Sequence, residues 1–215
     1  MAVPDGIDID FLKQFSAFVR RFVKKGYKFV IVIGGGRVCR IYQDAASKIS
    51  PLVTDLDKDW IGIATTQLNA HLLRAIFGDI AELEIIRDYN DLKNLRRPVV
   101  IGCGILPGHS TDYDTTLAAI NLGANYFINA GKPDHVYDSD PNMNKSAKKF
   151  TKLTWKEYRN IIPKKWSPGL NSPIDPIAAR LCEKKDIKAI VLYGRDLKNL
   201  ARAIEGKKFS GTTIG

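Results

Sequence analysis

The chain has 215 residues, of which 45% are apolar and 26% charged, so it is long enough for one substantial core or two small lobes. No apolar run is long enough to cross a bilayer, the N-terminus lacks the features of a secretory signal, and the three cysteines lack the spacing of a disulfide framework or a zinc site. The net charge of +10 comes from dispersed lysines and arginines, which favours a solvated surface over a polyanion partner. We therefore predict a cytoplasmic protein with no membrane and no nucleic-acid partner.

The apolar pattern predicts helices and strands that alternate along the chain. Phenylalanines 11, 15, 18 and 22 recur at helical spacing, and Lys28–Gly34 is a continuous apolar run typical of a parallel strand buried on both faces. The proline-rich segment Ile162–Pro173 is predicted to be a surface loop. The predicted helices are Ile9–Lys25, one starting at about Arg37, Asp59–Phe77, Thr111–Leu122, Thr154–Ile161, Pro176–Lys184 and Leu197–Ile204. The predicted strands are Lys28–Gly34, Pro98–Gly102, Tyr126–Asn129, Ile187–Tyr193 and Gly211–Ile214.

This alternation predicts an α/β fold with a mostly parallel sheet covered by helices on both faces. In such sheets, ligands bind beyond the carboxyl ends of the strands. Glycine turns follow Ile33, Ile101 and Tyr193, and therefore fall at that edge. We predict one domain, residues 1–215, with approximate lobes 1–123 and 124–215.

The first glycine turn, Gly34–Gly36, lies between a predicted strand and a predicted helix. Glycines let backbone N–H groups approach an anion closely, and a helix N-terminus adds partial positive charge. Arg40 lies one helical turn past Gly36, so its guanidinium can bind phosphate oxygens on the same face. A plain tight turn followed by a surface arginine is the alternative interpretation.

Several of the predicted helices begin with residues that carry a carboxylate or a hydroxyl group. Asp59 suits a helix N-cap, but its carboxylate can also accept hydrogen bonds from two sugar hydroxyls. Ser110, Thr111 and Asp112 follow a glycine-rich loop, and three capping residues in a row exceed what capping requires. Asp175 is a further plausible cap. His109, within the glycine loop, is positioned to touch a substrate.

A D-x-V-Y-x-x-D-P hairpin, Asp134–Pro141, follows the strand that ends near Gly131. Tyr137 can stack on a base, and Asp140 can orient a nucleotide. Ordinary packing is the alternative for Tyr137. The whole stretch from Gly104 to Pro141 suits a phosphate-handling site.

Together these pieces resemble the amino-acid kinase superfamily and, within it, the prokaryotic uridylate (UMP) kinases of the archaeal type. The order and spacing match from about Asp5 to the C-terminus. The matching motifs are I-G-G-G-R-V-C-R (33–40), D-W-I-G (59–62), L-N-A (68–70), G-C-G-I-L-P-G-H-S-T-D (102–112), D-H-V-Y-D-S-D-P (134–141), D-P-I-A-A (175–179) and G-T-T-I (211–214).

The resemblance implies a three-layer α/β/α sandwich, a homohexamer, and transfer of the γ-phosphoryl group from Mg·ATP to UMP in pyrimidine nucleotide biosynthesis, with Mg²⁺ arriving on ATP and no metal site of the protein's own. Residues 1–123 would bind UMP and residues 124–215 would bind ATP. Asp112, Arg40 and Asp175 would be catalytic. UMP would contact Gly35, Asp59, Gly104, Ile105, Leu106, Pro107, Gly108, His109, Ser110 and Thr111. ATP would contact Gly36, Arg40, Gly131, Tyr137 and Asp140.

Three departures from the family pattern bear on catalysis. In the family, a first central strand ends in a K-x-G-G-S motif that carries the catalytic lysine. That strand would precede the V-P-D-x-I-D segment, which residues 3–8 match, but this sequence contains no K-x-G-G-S. His135 replaces a usual glycine, and Gly131 replaces a usual threonine. We favour a start codon assigned too far downstream over lost or crippled catalysis. The alternatives are another small-phosphate kinase of the superfamily, such as an isopentenyl phosphate kinase, a non-catalytic nucleotide- or oxyanion-binding relative, and, last, a basic nucleic-acid-binding module.

Overall fold

The structure is a computed structural model that describes residues 6–90, 92, 95–170 and 172–215. Residues 3–5 of the V-P-D-x-I-D segment and Asn171 of the predicted surface loop lie outside these described residues. The helices are α1 (Ile9–Lys24), α2 (Gly36–Ile49), α3 (Asp55–Phe77), α4 (Thr111–Asn121), α5 (Trp155–Ile161), α6 (Pro176–Lys185) and α7 (Leu197–Ile204). The strands are β1 (Phe29–Val32), β2 (Val99–Gly102), β3 (Tyr126–Gly131), β4 (Val136–Tyr137), β5 (Lys149–Phe150), β6 (Lys152–Leu153), β7 (Lys188–Tyr193) and β8 (Thr212–Ile214).

Helices cover both faces of the sheet, which gives three layers. The side chains of β2 and β7 show this, because they point alternately to one helical layer and to the other. Val99 and Ile101 of β2 join Ile190 and Leu192 of β7 in one core cluster with apolar side chains of α1, α3 and α7. Their neighbours Val100, Ala189 and Val191 point to the other face, where clusters include side chains of α4, α5 and α6. The predicted α/β/α sandwich is therefore confirmed.

Helix α1 supplies the predicted phenylalanine stripe. Asp8 caps its N-terminus by accepting a hydrogen bond from the backbone N–H of Phe11 at 3.0 Å. Phe18 and Phe22 are buried in the cluster that contains β2 and β7, and Phe15 packs against that cluster. The stripe therefore serves the core.

Helix α3 begins four residues earlier than predicted. Thr54 is its N-cap, and Thr54 and Asp57 form a reciprocal capping box. The interpretation of Asp59 as an N-cap is therefore wrong, because Asp59 lies in the second turn of the helix.

The sheet is interrupted in the middle. β1 pairs in parallel with β2, whose other edge receives backbone hydrogen bonds from Glu82 and Ile86. β3 pairs in parallel with β7, in a sheet of order β3-β7-β8-β6. Among the described residues, β1 and β3 thus each keep one unpaired edge, while both contribute side chains to the same core cluster.

This interruption leaves β1 less buried than predicted. All four residues of β1 are only half-buried, so the prediction that this strand is buried on both faces is wrong. A strand reaches full burial only when neighbours cover both of its edges, as in β2, where every residue is buried.

Helix α2 differs from the others because it packs on α3 and contributes no buried residue. Its N-terminus follows β1, and the glycine turn between them lies beyond the carboxyl end of that strand. None of the helices in the described ranges is long and apolar enough to cross a membrane.

Candidate active site

A cavity of about 240 Å³ lies beyond the carboxyl ends of β1 and β2, where the sheet geometry predicts ligands. The N-cap residues of α2, α4 and α6, which are Gly35, Ser110 and Asp175, all line it. The predicted site residues in its wall are Gly35, Gly36, Arg40, Asp59, Gly104, Leu106, Pro107, His109, Ser110, Thr111, Asp112 and Asp175.

The glycine turn at the start of α2 lines this cavity. Among the described residues, no side chain caps the N-terminus of α2, whereas Ser110 caps α4 and Asp175 caps α6. Asn69 donates its side-chain amide to the carbonyls of Gly34 and Gly35, at 2.9 and 3.2 Å, and so holds the turn in place. An uncapped helix N-terminus beside an arginine is an arrangement that can bind an anion.

Glycine is required in this turn on steric grounds. Gly36 has φ of +68°, which L side chains rarely adopt. A Cβ at Gly35 would lie 2.6 Å from the Cβ of Cys39 one turn along α2. Local sterics within the turn and α2 therefore account for glycine at both positions, and the predicted approach of a ligand to this backbone stays a prediction.

Asp59 ties α3 to the glycine-rich loop on the opposite wall. Its Oδ2 accepts a hydrogen bond from the backbone N–H of Gly108 at 2.8 Å. Gly108 has φ of +98°, so the loop needs a glycine there. The bond engages Oδ2, whereas Oδ1 accepts no hydrogen bond from the described residues.

Ser110, Asp112 and Asp175 form a hydrogen-bonded group at the base of the cavity. The Ser110 hydroxyl lies 2.9 Å from Oδ2 of Asp112 and 2.6 Å from Oδ2 of Asp175. Asp112 also accepts from the backbone N–H of Asp175 and from the side-chain amide of Asn129. Because Ser110 has one proton to donate, the two carboxyl groups compete for it.

Burial sets the protonation of these carboxyl groups. Desolvation, reinforced by the nearby charge of Asp175, raises the pKa of Asp112 to about 7. Desolvation and the charges of Asp175 and Asp112 likewise raise the pKa of Asp114 to about 7. Asp114 Oδ2 is buried and has no hydrogen-bond partner among the described residues, and His109 Nδ1 lies 4.0 Å from it.

Comparison with known proteins gives this site a context. The model of the Amino acid kinase family matches residues 2–193. A uridylate kinase of Thermococcus onnurineus is 34% identical over 216 residues, which cover 99% of this chain and 94% of that protein. A uridylate kinase of Haloquadratum walsbyi is 32% identical, with 97% of this chain and 87% of that protein covered.

The chain belongs to the amino acid kinase family. The crystal structure of uridylate kinase from Archaeoglobus fulgidus superposes with a TM-score of 0.81 and 31% identity, covering 96% of this chain and 92% of that one. The UMP kinase structure from Bacillus anthracis, at 22% identity and a TM-score of 0.75, supports the fold alone. The predicted resemblance to archaeal-type uridylate kinases is confirmed.

Residues predicted to bind ATP divide between the cavity and the neighbouring surface. Gly36 and Arg40 line the cavity, whereas Gly131, Tyr137 and Asp140 do not. The Tyr137 hydroxyl donates to Asp134 Oδ1 at 2.8 Å, and Asp140 Oδ1 accepts from the backbone and side-chain amides of Asn142. Both residues therefore stabilise the hairpin segment of this family member.

Two predicted UMP-binding residues also lie outside the cavity wall. Ile105 and Gly108 belong to the glycine-rich loop but do not line the cavity themselves. Gly108 faces Asp59 through the hydrogen bond described above, and Ile105 packs against a core cluster. Their neighbours Leu106, Pro107 and His109 supply that part of the wall.

Several lining residues escaped prediction. Thr66 accepts a hydrogen bond from the backbone N–H of Gly104 at 3.0 Å, and Gly62 and Gln43 also line the cavity. The signal for Thr66 and Asn69 was a stripe of polar or small residues on α3, since Asp59, Gly62, Thr66 and Asn69 recur at helical spacing. No spacing identifies Trp166, Pro168, Leu170 and Ser172, because they enter the wall from an irregular segment.

Proposed function

We propose that this chain is a uridylate kinase that transfers the γ-phosphoryl group of ATP to UMP. The observation that carries the proposal is an uncapped helix N-terminus, with Arg40 beside it, across one cavity from Asp59 and Asp112. Relatives and a structural neighbour named uridylate kinase, matched over nearly the full chain, support the choice of UMP as acceptor.

In this proposal, the acceptor half of the site binds UMP. The phosphate of UMP lies against Gly35, the ribose hydroxyls bind Asp59, and the loop from Gly104 to Thr111 holds the uracil. The direct bond from Gly108 to Asp59 supports this arrangement, because it ties the ribose-binding carboxylate to the uracil-binding loop.

ATP occupies the other half. Its phosphates bind Gly36 and Arg40, and its adenosine lies by Gly131, Tyr137 and Asp140, so that residues 1–123 form the acceptor lobe and 124–215 the ATP lobe. One core cluster includes side chains from both lobes, which supports a single domain. Mg²⁺ arrives with ATP, as the resemblance to kinases that use Mg·ATP implies. When bound, Mg²⁺ neutralises charge on the phosphates.

Catalysis by these residues rests on positioning and charge. The acceptor phosphate is already an anion, so the chain needs no general base. Asp112 organises the cationic groups around the transferred phosphoryl group. Both Oδ1 and Oδ2 of Asp175 are engaged, Oδ1 by the backbone N–H groups of Ile177 and Ala178 and Oδ2 by Ser110. Asp175 therefore acts as a positioning residue.

Release of ADP tests this function directly. With Mg·ATP, UMP should give a kcat/KM at least about tenfold above those of CMP, AMP and isopentenyl phosphate, because a site built to hydrogen-bond one substrate rejects analogues that leave its polar groups unpaired. Asp59→Asn should raise the KM for UMP about tenfold, since hydrogen bonds to charged groups are worth about 1.5–3 kcal/mol.

The control for Asp59→Asn is Asp55→Asn in the first turn of the same helix. Asp55 is exposed and pairs with Lys58 at 3.3 Å on the surface, so its loss should leave the KM unchanged. A higher kcat/KM for isopentenyl phosphate than for UMP would favour the alternative of another small-phosphate kinase of the superfamily. Binding of UMP without ADP release would indicate the non-catalytic alternative.

We also propose that the chain forms a homo-oligomer in the cytoplasm, a hexamer by its resemblance. The supporting observation is a set of exposed apolar side chains along α2 and the start of α3, including Ile41, Tyr42, Leu56 and Trp60, with Ile49 and Leu52 each 83% exposed. Light scattering should give a multiple of the 24.0 kDa chain mass. Tyr42→Glu should weaken assembly at least about tenfold, because a buried unpaired charge costs several kcal/mol.

Leu122→Glu is the matched control, since Leu122 is exposed at the end of α4, away from α2 and α3. A wild-type protein of single-chain mass, or equal assembly of both variants, would contradict the oligomer proposal.

A further inference from the structure

A second cavity, of about 750 Å³, lies apart from the candidate active site. It lies between the short strands that follow the D-H-V-Y motif and the loop that joins α7 to β8. The two cavities share no lining residue, and Gly131, Tyr137 and Asp140 line neither of them. The residues that line the second cavity are His135, Lys149, Thr151, Gly206, Lys207, Lys208, Phe209, Ser210, Gly211 and Thr213.

The wall of this second cavity carries positive charge without negative charge. Three lysines line it, and none of the described residues in its wall is an aspartate or a glutamate. Thr151, Ser210 and Thr213 add hydroxyl groups. A concave surface lined by charge of one sign concentrates ions of the opposite sign. The composition of the second cavity therefore favours an anionic ligand.

The lysines of the second cavity are accessible to such a ligand. Lys149, Lys207 and Lys208 are all exposed. The Nζ of Lys207 pairs with Glu205 at 2.7 Å, whereas Lys149 and Lys208 form no ion pair within the part of the chain that the structure describes. At least two amino groups are therefore available to bind an anion.

Hydrogen bonds fix the loop that carries two of these lysines. The backbone N–H of Lys207 donates to the carbonyl of Arg202 at 2.8 Å. Ser210 and Asn199 exchange two hydrogen bonds, of 2.7 and 2.8 Å, between the Asn199 side chain and the Ser210 backbone. Lys208 lies between these two fixed points. A loop that is held in place before binding lowers the entropy cost of binding a ligand.

The opposite wall is joined to this loop through β8. The backbone N–H of Val136 donates to Oγ1 of Thr212 at 2.8 Å, and the N–H of Thr213 donates to the carbonyl of Thr151 at 3.0 Å. His135, which replaces a usual glycine of the family motif, is 3% exposed and lines the cavity. Its imidazole therefore fills space in this wall that a glycine would leave open.

Size and charge together point to a polyphosphate ligand. A cavity of about 750 Å³ lies within the range of about 300–1,000 Å³ that is usual for small-molecule sites. A chain of phosphates can contact lysines on both walls, Lys149 from β5 and Lys208 from the loop before β8. We propose that the second cavity binds the polyphosphate group of a small molecule between these two lysines. This site is additional to the proposed function and does not depend on it.

Calorimetric titration of tripolyphosphate into the full chain, without Mg²⁺ or nucleotide, tests the proposal. Lys149→Gln and Lys208→Gln should each raise the Kd at least about fivefold, because each removes a charge-assisted hydrogen bond to phosphate. Lys184→Gln, an equal change of charge in the last turn of α6, should leave the Kd unchanged. Arg40→Gln, in the wall of the first cavity, should also leave it unchanged.

Three results would overturn the proposal. Wild type that binds no tripolyphosphate, or Lys149→Gln and Lys208→Gln variants with the wild-type Kd, would show that the second cavity does not bind it. A Kd raised by Arg40→Gln would place the anion in the first cavity. An equal rise in Lys184→Gln would indicate attraction to the net charge alone.

The same titration with CTP separates a free polyphosphate from a nucleotide. Tighter binding of CTP than of tripolyphosphate, weakened by the same two substitutions, would assign the group to a nucleotide, whose nucleoside would contact Phe209 in the wall. Equal or weaker binding of CTP would assign it to free polyphosphate. The titration uses neither UMP nor turnover, so its failure leaves the proposed function intact, and failure of the ADP-release assay leaves this site intact.

Discussion

Asp112→Asn should lower the rate of phosphoryl transfer to UMP by about a hundred- to a thousandfold, the usual cost of removing one electrostatic stabiliser from a transition state. Asp112 lies between the N-termini of α4 and α6 and accepts hydrogen bonds from Ser110, Asn129 and Asp175. An asparagine there lacks the negative charge that organises Arg40 and Mg·ATP. Its side-chain NH₂ would also face one of the groups that donate a hydrogen bond to Asp112. Steady-state kinetics should show the loss in kcat, with the KM for UMP nearly unchanged.

The pH profile provides an independent check on the same variant. Burial and the charge of Asp175 raise the pKa of Asp112 to about 7, so its ionised fraction falls as the pH drops below that value. The wild-type rate should therefore fall about tenfold per pH unit on the acidic side, and Asp112→Asn should lose this limb. Asp186→Asn, outside the cavity wall at the C-terminus of α6, is the control. A variant with wild-type kcat would show that Asp112 is not catalytic.

Asp114→Asn should stabilise the ligand-free protein at pH 8 by about 1–3 kcal/mol, which corresponds to a rise in melting temperature of several degrees. Asp114 is buried, and its Oδ2 has no hydrogen-bond partner among the described residues. Burial raises its pKa to about 7 in the folded chain, whereas an unfolded aspartate titrates near 4. Between those values, the folded chain binds more protons than the unfolded chain.

The free energy of unfolding therefore falls as the pH rises from about 4 to about 7, and the loss is complete above the folded pKa. Thermal melts should show a difference between Asp114→Asn and wild type that grows from pH 5 to pH 8. Asp44→Asn, in an exposed pair with Lys48, should shift little at either pH. A variant that is less stable than wild type at pH 8 would mean that Asp114 is charged and paired with His109.

Most of the fold was predictable because the elements are marked by local signals. Apolar residues at helical spacing predicted every long helix, since burial of one face imposes a repeat of 3.6 residues, and short apolar runs predicted the five main strands. The two-residue strands β5 and β6 carry no such repeat. The start of α3 was misplaced because Asp59 and Thr54 both suit a cap, and the capping box of Thr54 with Asp57 decides between them.

The candidate site was predictable only where its residues belong to motifs. Gly35, Asp59 and Asp112 stand in short runs with recognisable spacing, and the cavity brings them together. The place of Trp166 in the cavity wall could not be predicted, because it depends on where the chain lies between Pro163 and Pro173. No local rule sets that path, which follows from the anchors at Arg180 and Asn129.

The helices and strands, the glycine turns at the carboxyl ends of strands and the membership in a kinase family follow from the sequence, because each depends on residues that are close in sequence or on motif order. The pairing of Ser110 with Asp112 and Asp175 and the raised pKa of Asp112 and Asp114 follow from the folded structure alone. Those properties depend on desolvation and on contacts between residues up to 65 positions apart, such as Ser110 and Asp175.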